Sequence, residues 1–153
     1  MTNGAFVFGY AKPVPVSVMD LRNPKRDMLW VAFAGPGSNL AMAVVWALLL
    51  VVLAVAGVEE PFLVRMAQAG ITVNFVMAAL NLFPLPPLDG GRMLASLLPI
   101  AQANALLSIE RFGFMVVLVL AATNVLNYWM NPIITVFQWA LGVLMTPFNF
   151  LLG

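Results

Sequence analysis

Between Met28 and Gly57 the chain carries no charged residue, and that run exceeds the ~20 apolar residues needed to cross a hydrocarbon core as a helix. Lipid offers the backbone no hydrogen-bond partner, so such a run must satisfy its own amides and folds as a spanning helix. The rest of the composition agrees. Of 153 residues, 63% are hydrophobic and 8% charged, and the mean hydropathy is +0.99; so little polar surface cannot cover a soluble globule. The formal net charge of +1, with no clustered basic face, gives no case for nucleic acid as a partner. Cysteine and histidine are both absent, which removes a disulfide framework and every thiolate or imidazole metal ligand.

The expectation is an all-α integral membrane protein with about four transmembrane helices. A segment 1–27 is extended or re-entrant and then juxtamembrane, and a polytopic domain 28–153 has spans at about 29–57, 70–88, 113–130 and 132–152. No basic n-region with an apolar core and cleavage site opens the chain, so no signal peptide is expected. Gly4 to Val18 is too short and too proline-broken to span. Pro13 and Pro15 alternate with Val14 and Val16, so in an extended strand one edge lacks donors and the other keeps them. Two readings stand: an edge at Val14 and Val16 that takes up an extended peptide by strand addition, or a surface loop of polyproline character.

The chemistry concentrates in Asn81-Leu-Phe-Pro-Leu-Pro-Pro-Leu-Asp-Gly-Gly-Arg92. Pro84, Pro86 and Pro87 cannot continue a helix, so the second span breaks just before its carboxylate, Asp89. An ionisable group at or near the hydrocarbon boundary is costly, and a broken backbone is tolerated at depth only where it packs in protein or lines a wet cavity. Asp89 therefore reads either as a functional group or as part of an ordinary Asp-Gly turn at a helix exit. Asn74 and Asn81, seven apart, share a helical face and either bond across helices or line a cavity.

Other features read as structure. The small residues of Ala34-Gly-Pro-Gly-Ser-Asn39 permit close helix approach. Glu59, Glu60 and Arg65 form a short charged loop, and Glu110 stands beside Arg111 as its expected ion-pair partner. Asn124, Asn127 and Asn131 make a polar stripe of interhelical glue, and Tyr128, Trp129 and Asn131-Pro132 mark the turn between the last two spans. No internal repeat suggests a transporter of duplicated halves, and apart from Asp89 the spans offer no ionisable path for a channel or carrier. Lys12, Arg22, Lys25, Arg26, Arg92 and Arg111 lie on one side of this topology and only Arg65 on the other. The positive-inside rule then puts the amino terminus and the Asp89 end of span two in the cytoplasm of a multi-pass inner-membrane protein.

Taken in order, Phe8-Gly-Tyr-Ala-Lys-Pro-Val-Pro-Val16, Leu21-Arg-Asn-Pro-Lys-Arg-Asp27, Ala34-Gly-Pro-Gly-Ser-Asn39, the Asn81–Arg92 stretch and Glu110-Arg-Phe-Gly113 resemble the successive motifs of bacterial site-2 proteases, intramembrane zinc metalloproteases of the M50 type. The resemblance covers essentially the whole chain. It implies that Asp89 is the third protein ligand of a catalytic zinc, that Asn81 helps stabilise the reacting carbonyl, and that the Val14–Val16 stretch lies beside the active site. The substrate implied is a transmembrane segment, cut by zinc-activated water.

The departure is as informative. The family carries His-Glu-x-x-His on an upstream helix, two imidazoles one turn apart with the glutamate as general base. This chain has no histidine. The expectation is a fragment, or a chain inactive as given, without tight zinc or hydrolysis of its own. The alternative, from another class, is a non-catalytic membrane protein that binds single-span clients, for which Asp89 is dispensable.

Overall fold

The computed structural model describes residues 24–151. The expected extended segment with Val14 and Val16 lies outside them. Within them every element is helical: α1 Pro24–Val55, α2 Pro61–Asn81, α3 Asp89–Leu97, α4 Ile100–Ser108, α5 Glu110–Ala122 and α6 Val125–Met145, closing in a 3₁₀ turn, Thr146–Leu151.

α1 and α2 form an antiparallel hairpin around which the other helices are arranged. Gly57, at a positive φ of 64°, ends α1 in the left-handed conformation that glycine adopts without steric cost, and Pro61 opens α2 at a position where its missing amide is no loss. α2 thus starts nine residues before the expected span and takes Arg65 into its first turns instead of leaving it in a loop. The seam of the hairpin is built from small residues, Ala43, Ala47, Ala67, Ala78 and Ala79, all buried. Gly70 belongs to the same seam: a side chain there would collide with the indole of Trp46. Such close backbone approach is how helices associate where lipid removes the hydrophobic drive. Pro36 does not interrupt α1, which runs through it with the ring fully buried.

α1, at 32 residues, and α2, at 21, are long and apolar enough to cross a membrane. A third crossing is added if α4 and α5, bent by 62° at Ile109, count as one span. This protein is therefore a membrane protein of two or three candidate crossings by length and composition. α6 matches α2 in length, 21 residues, but Asn127, Asn131 and Gln138 dilute its apolar character. Nor does the chain turn at Asn131-Pro132. It turns at Thr123–Asn124, where Asn124 takes φ 59° and caps α6 in the left-handed region, a conformation asparagine tolerates better than most residues. Pro132 then lies inside α6 as its eighth residue, an interior position that membrane helices tolerate where the freed backbone group is satisfied by neighbours. α6 packs back on α2 through Phe137 against Phe75, ring centroids 5.8 Å apart.

Candidate functional site

α2 ends at Asn81 and the next helix begins at Asp89. The seven residues between them follow a chain of tight turns, with Phe83 N–H donating to Leu80 O (2.9 Å), Leu85 to Phe83 O (2.8 Å) and Leu88 to Leu85 O (3.0 Å). Pro86 is fully buried, and the Pro86–Pro87 peptide is cis. The break expected from the prolines is present, and it delivers Asp89 into the first turn of α3, where the unpaired amides of a helix start favour a carboxylate.

Three glycines hold this turn in place from three directions. A Cβ on Gly90 would strike the carbonyls of Leu82 and Phe83, so the start of α3 is seated on the exit of α2. A Cβ on Gly113 of α5 would strike the Pro86 carbonyl and the Pro87 ring. A Cβ on Gly35 of α1 would fall on Oδ2 of Asp89 itself. Stretches far apart in sequence, around Gly35, around Asp89 and around Gly113, thus meet at one point. The Ala34–Asn39 patch does permit close approach, as read from sequence, but what approaches Gly35 is the carboxylate.

Arg92, one turn after Asp89, is paired with Glu110 at the start of α5, Nη2 to Oε1 2.8 Å. The expected pairing of Glu110 with Arg111 is not the one formed; the Arg111 guanidinium lies 4.9 Å from the centre of the Phe112 ring. Burial pushes the Asp89 carboxyl above its ordinary value, and the positive charge of Arg92 pulls in the opposite direction. Asn81 is half-buried at the last residue of α2, next to the Leu82 backbone that seats Gly90. Asn74 neither crosses to another helix nor faces the break, since its Nδ2 donates to Gly70 O of its own helix (2.8 Å). Asn127 likewise bonds within its own stripe, to Asn124 Oδ1 (2.9 Å). Phe83, in the break, meets Trp129 of α6 edge-on at 5.5 Å.

What the sequence reading missed is the pair of restraining contacts, Gly35 on Asp89 and Gly113 on Pro86. The available signal was a glycine inside an otherwise bulky helix, which is tolerated at a cost and marks close packing. As a metal centre the arrangement is partial. A catalytic zinc takes three protein ligands, and among the described residues no group of three histidine, cysteine, aspartate or glutamate side chains stands close enough to hold a metal ion. Asp89 can offer one carboxylate, so the residues present do not fit a zinc ion by themselves.

Comparison with known proteins bears on this geometry directly. Residues 55–124 match the family described as Peptidase family M50. The protein named "Putative zinc metalloprotease YwhC" from Bacillus subtilis (strain 168) is 35% identical over 132 residues, covering 83% of this chain and 60% of that protein. The protein named "Putative zinc metalloprotease Rip3" from Mycobacterium tuberculosis is 34% identical over 102 residues, covering 64% of this chain and 25% of that protein. The chain therefore spans between a quarter and three-fifths of the length of these relatives. No solved structure matches it. The matched region includes the α2 exit, Asp89, Arg92, Glu110 and Gly113, with Gly35 outside it, and over that region this chain matches peptidase family M50.

Proposed function

We propose that this chain is the part of an M50-type intramembrane zinc metalloprotease that carries the third-ligand carboxylate, Asp89, and that its biological reaction is hydrolysis of a transmembrane substrate. The observation that carries the reading is the seating of Asp89 against Gly35 at a helix break clasped by Gly90 and Gly113. An innocent turn has no need of one glycine against its carboxylate and two more against its backbone. With no histidine in the sequence, the other metal ligands and the general base come from outside these 153 residues, and the chain alone binds no zinc tightly and cleaves nothing. Asn81, at the α2 exit, is assigned to stabilising the reacting carbonyl, and the Val14–Val16 edge to holding the substrate in extended form.

In this reading the bent α4–α5 pair is one broken span and α6 another, giving four crossings with the amino terminus and the Asp89 end of α2 in the cytoplasm. The ends of the first hairpin support part of this, because Lys25 Nζ donates to Leu98 O (3.1 Å), so the start of α1 and the α3–α4 junction lie on one side. Labelling Lys25→Cys and Glu59→Cys variants from each face checks the orientation: cytoplasmic labelling of the Glu59→Cys chain would reverse it.

The direct test is complementation. The chain is co-expressed with a separate membrane segment bearing His-Glu-x-x-His, and zinc content and cleavage of a transmembrane reporter are measured with and without Asp89→Asn. Cleavage and zinc together, both lost in Asp89→Asn, support the assignment; cleavage that survives the substitution removes it. Stoichiometric zinc in the unaccompanied chain, resistant to mild chelation, would overturn its incompleteness. The second reading, a non-catalytic binder of single-span clients, expects client capture unchanged by Asp89→Asn.

A further inference from the structure

A cavity of about 160 Å³ lies between the start of α1, the second half of α3 and the length of α4, bounded by Lys25, Met28, Arg92, Ala95, Ile100 and Leu107 among others. It is distinct from the Gly35–Asp89 contact: its α1 wall, Lys25 and Met28, lies seven to ten residues before Gly35, and its α3 wall begins at Arg92, three residues after Asp89. Its walls are fixed by contacts already described: Lys25 reaches across to Leu98 at the α3–α4 junction, and Arg92 ties α3 to α5 through Glu110.

Two properties of this cavity point to the same ligand. Its interior is almost wholly apolar: Ser96 Oγ is spent on Met93 O (2.7 Å), and the Asn104 carboxamide is the other uncharged polar group on the wall. The rest of the wall, Met28, Ala95, Ile100, Ala103 and Leu107, offers water none of the two to four polar partners it needs, so an apolar occupant is favoured there. Two cations nonetheless stand on its boundary. An ammonium carries three N–H donors and a guanidinium five, and the contacts described use one from Lys25 and one from Arg92. Both retain donors for an anion.

Location supplies the third constraint. Lys25 is the first residue of the longest membrane-crossing candidate, Lys25–Val55, and a basic residue at a span end sits at headgroup level. Beside the cavity the α3–α4 elbow exposes Leu97 and Ile100, each 70% accessible, as an apolar corner at that level. An anionic head held by cations with an apolar tail in a dry cavity is the chemistry of an acidic lipid. We propose that the α1–α3–α4 cavity binds one anionic phospholipid, its phosphate at Lys25 and Arg92 and the upper part of one acyl chain against Met28, Ala95 and Leu107. Basic pockets between membrane helices are suited to such headgroups by charge and position.

The experiment uses the full 153-residue chain, delipidated in a neutral detergent. Phosphatidylglycerol, phosphatidylcholine and inorganic phosphate are offered separately, with retained lipid counted by native mass spectrometry and the thermal midpoint recorded. The expected result is one phosphatidylglycerol retained in preference to phosphatidylcholine, with a raised midpoint. Lys25→Gln should weaken retention about fivefold, the loss expected for one basic residue at an anionic lipid surface, while Lys25→Arg keeps it. Ala103→Leu, which narrows the cavity from the α4 wall without touching a charge, should reduce retention as well, and it serves if Lys25→Gln proves unstable. Stabilisation by inorganic phosphate equal to that by the lipid would overturn the acyl-chain half of the proposal. Equal retention of both lipids, or retention indifferent to both Lys25→Gln and Ala103→Leu, would overturn the site altogether. None of these outcomes depends on whether Asp89 is a zinc ligand.

Discussion

The carboxylate of Asp89 occupies the space that a side chain on Gly35 would fill. α1 and α3 can cross at this point only because one of them presents bare backbone, and the carboxylate is thereby fixed in place by a residue that has no functional group.

The first expectation concerns that relationship. Gly35→Ala should destabilise the chain by about 1–3 kcal/mol, the usual cost of forcing a methyl group into packed structure, and in the complemented enzyme it should lower zinc occupancy with Asp89 intact. Gly37→Ala is the control: its new methyl meets only the Phe33 ring at an ordinary 3.7 Å. Equal thermal midpoints for the two variants would show that the Gly35 contact does not constrain α3.

Gly113→Ala tests the second clasp. The added methyl would run into the Pro86 carbonyl, and since that atom is backbone in a buried turn it cannot move aside cheaply. A loss of about 1–3 kcal/mol is expected. By contrast Gly142→Ala, in α6 with nothing within 4 Å, should gain up to about 1 kcal/mol from helix propensity alone. Thermal unfolding of the two variants in one detergent reads both, and a neutral Gly113→Ala would mean that α5 does not restrain the proline turn.

The Arg92–Glu110 pair should contribute little to stability. Its side chains are 45% and 40% exposed, and pairs in that setting are worth about 0–1 kcal/mol and weaken with salt. Glu110→Gln is expected to lower the midpoint slightly at low salt and not at all at high salt, and the exchanged pair Arg92→Glu with Glu110→Arg should recover the low-salt difference. A large, salt-independent loss would assign Glu110 a packing role instead.

Asp89 should cost the metal-free fold stability at neutral pH. Its folded-state carboxyl titrates above the ordinary value because burial disfavours the charge, with Arg92 opposing. A raised acid favours the folded state while it is protonated; that contribution is complete below the unfolded value, about 4, and is lost as pH rises through the folded value. The native chain should therefore show a midpoint that falls as pH rises from about 4 toward neutrality. Asp89→Asn should lack this fall and match or exceed the native chain at pH 7. A less stable Asp89→Asn at neutral pH would mean that the charged carboxylate is satisfied by partners and is not held at a cost.

Much of this protein was legible before its structure was known. The charge-free run from Met28 to Gly57 dictates a spanning helix because lipid cannot satisfy a backbone amide. Pro84, Pro86 and Pro87 dictate a break because proline lacks the donor a helix requires. Those two facts were enough to expect a membrane helix that breaks ahead of Asp89; the structure ends α2 earlier, at Asn81, and puts Asp89 at the start of α3 and not at the exit of the span. The positions of the later turns were not legible. Asn131-Pro132 carries the stronger local turn signal, yet the chain turns at Asn124, whose left-handed backbone lets α6 begin early and bring Phe137 onto Phe75. Local propensity is a weak prior that tertiary packing overrides. Partner choice escaped for a similar reason: Glu110 stands beside Arg111 in sequence, but neighbouring residues on a helix do not face each other, and the fold offers it Arg92. Sequence alone determined the solvent this chain lives in, the break and the residue delivered there. Only the tertiary structure decided what surrounds that residue, because the contacts of Gly35 and Gly113 join residues 54 and 27 positions from their targets, Asp89 and Pro86, distances over which no local pattern carries information.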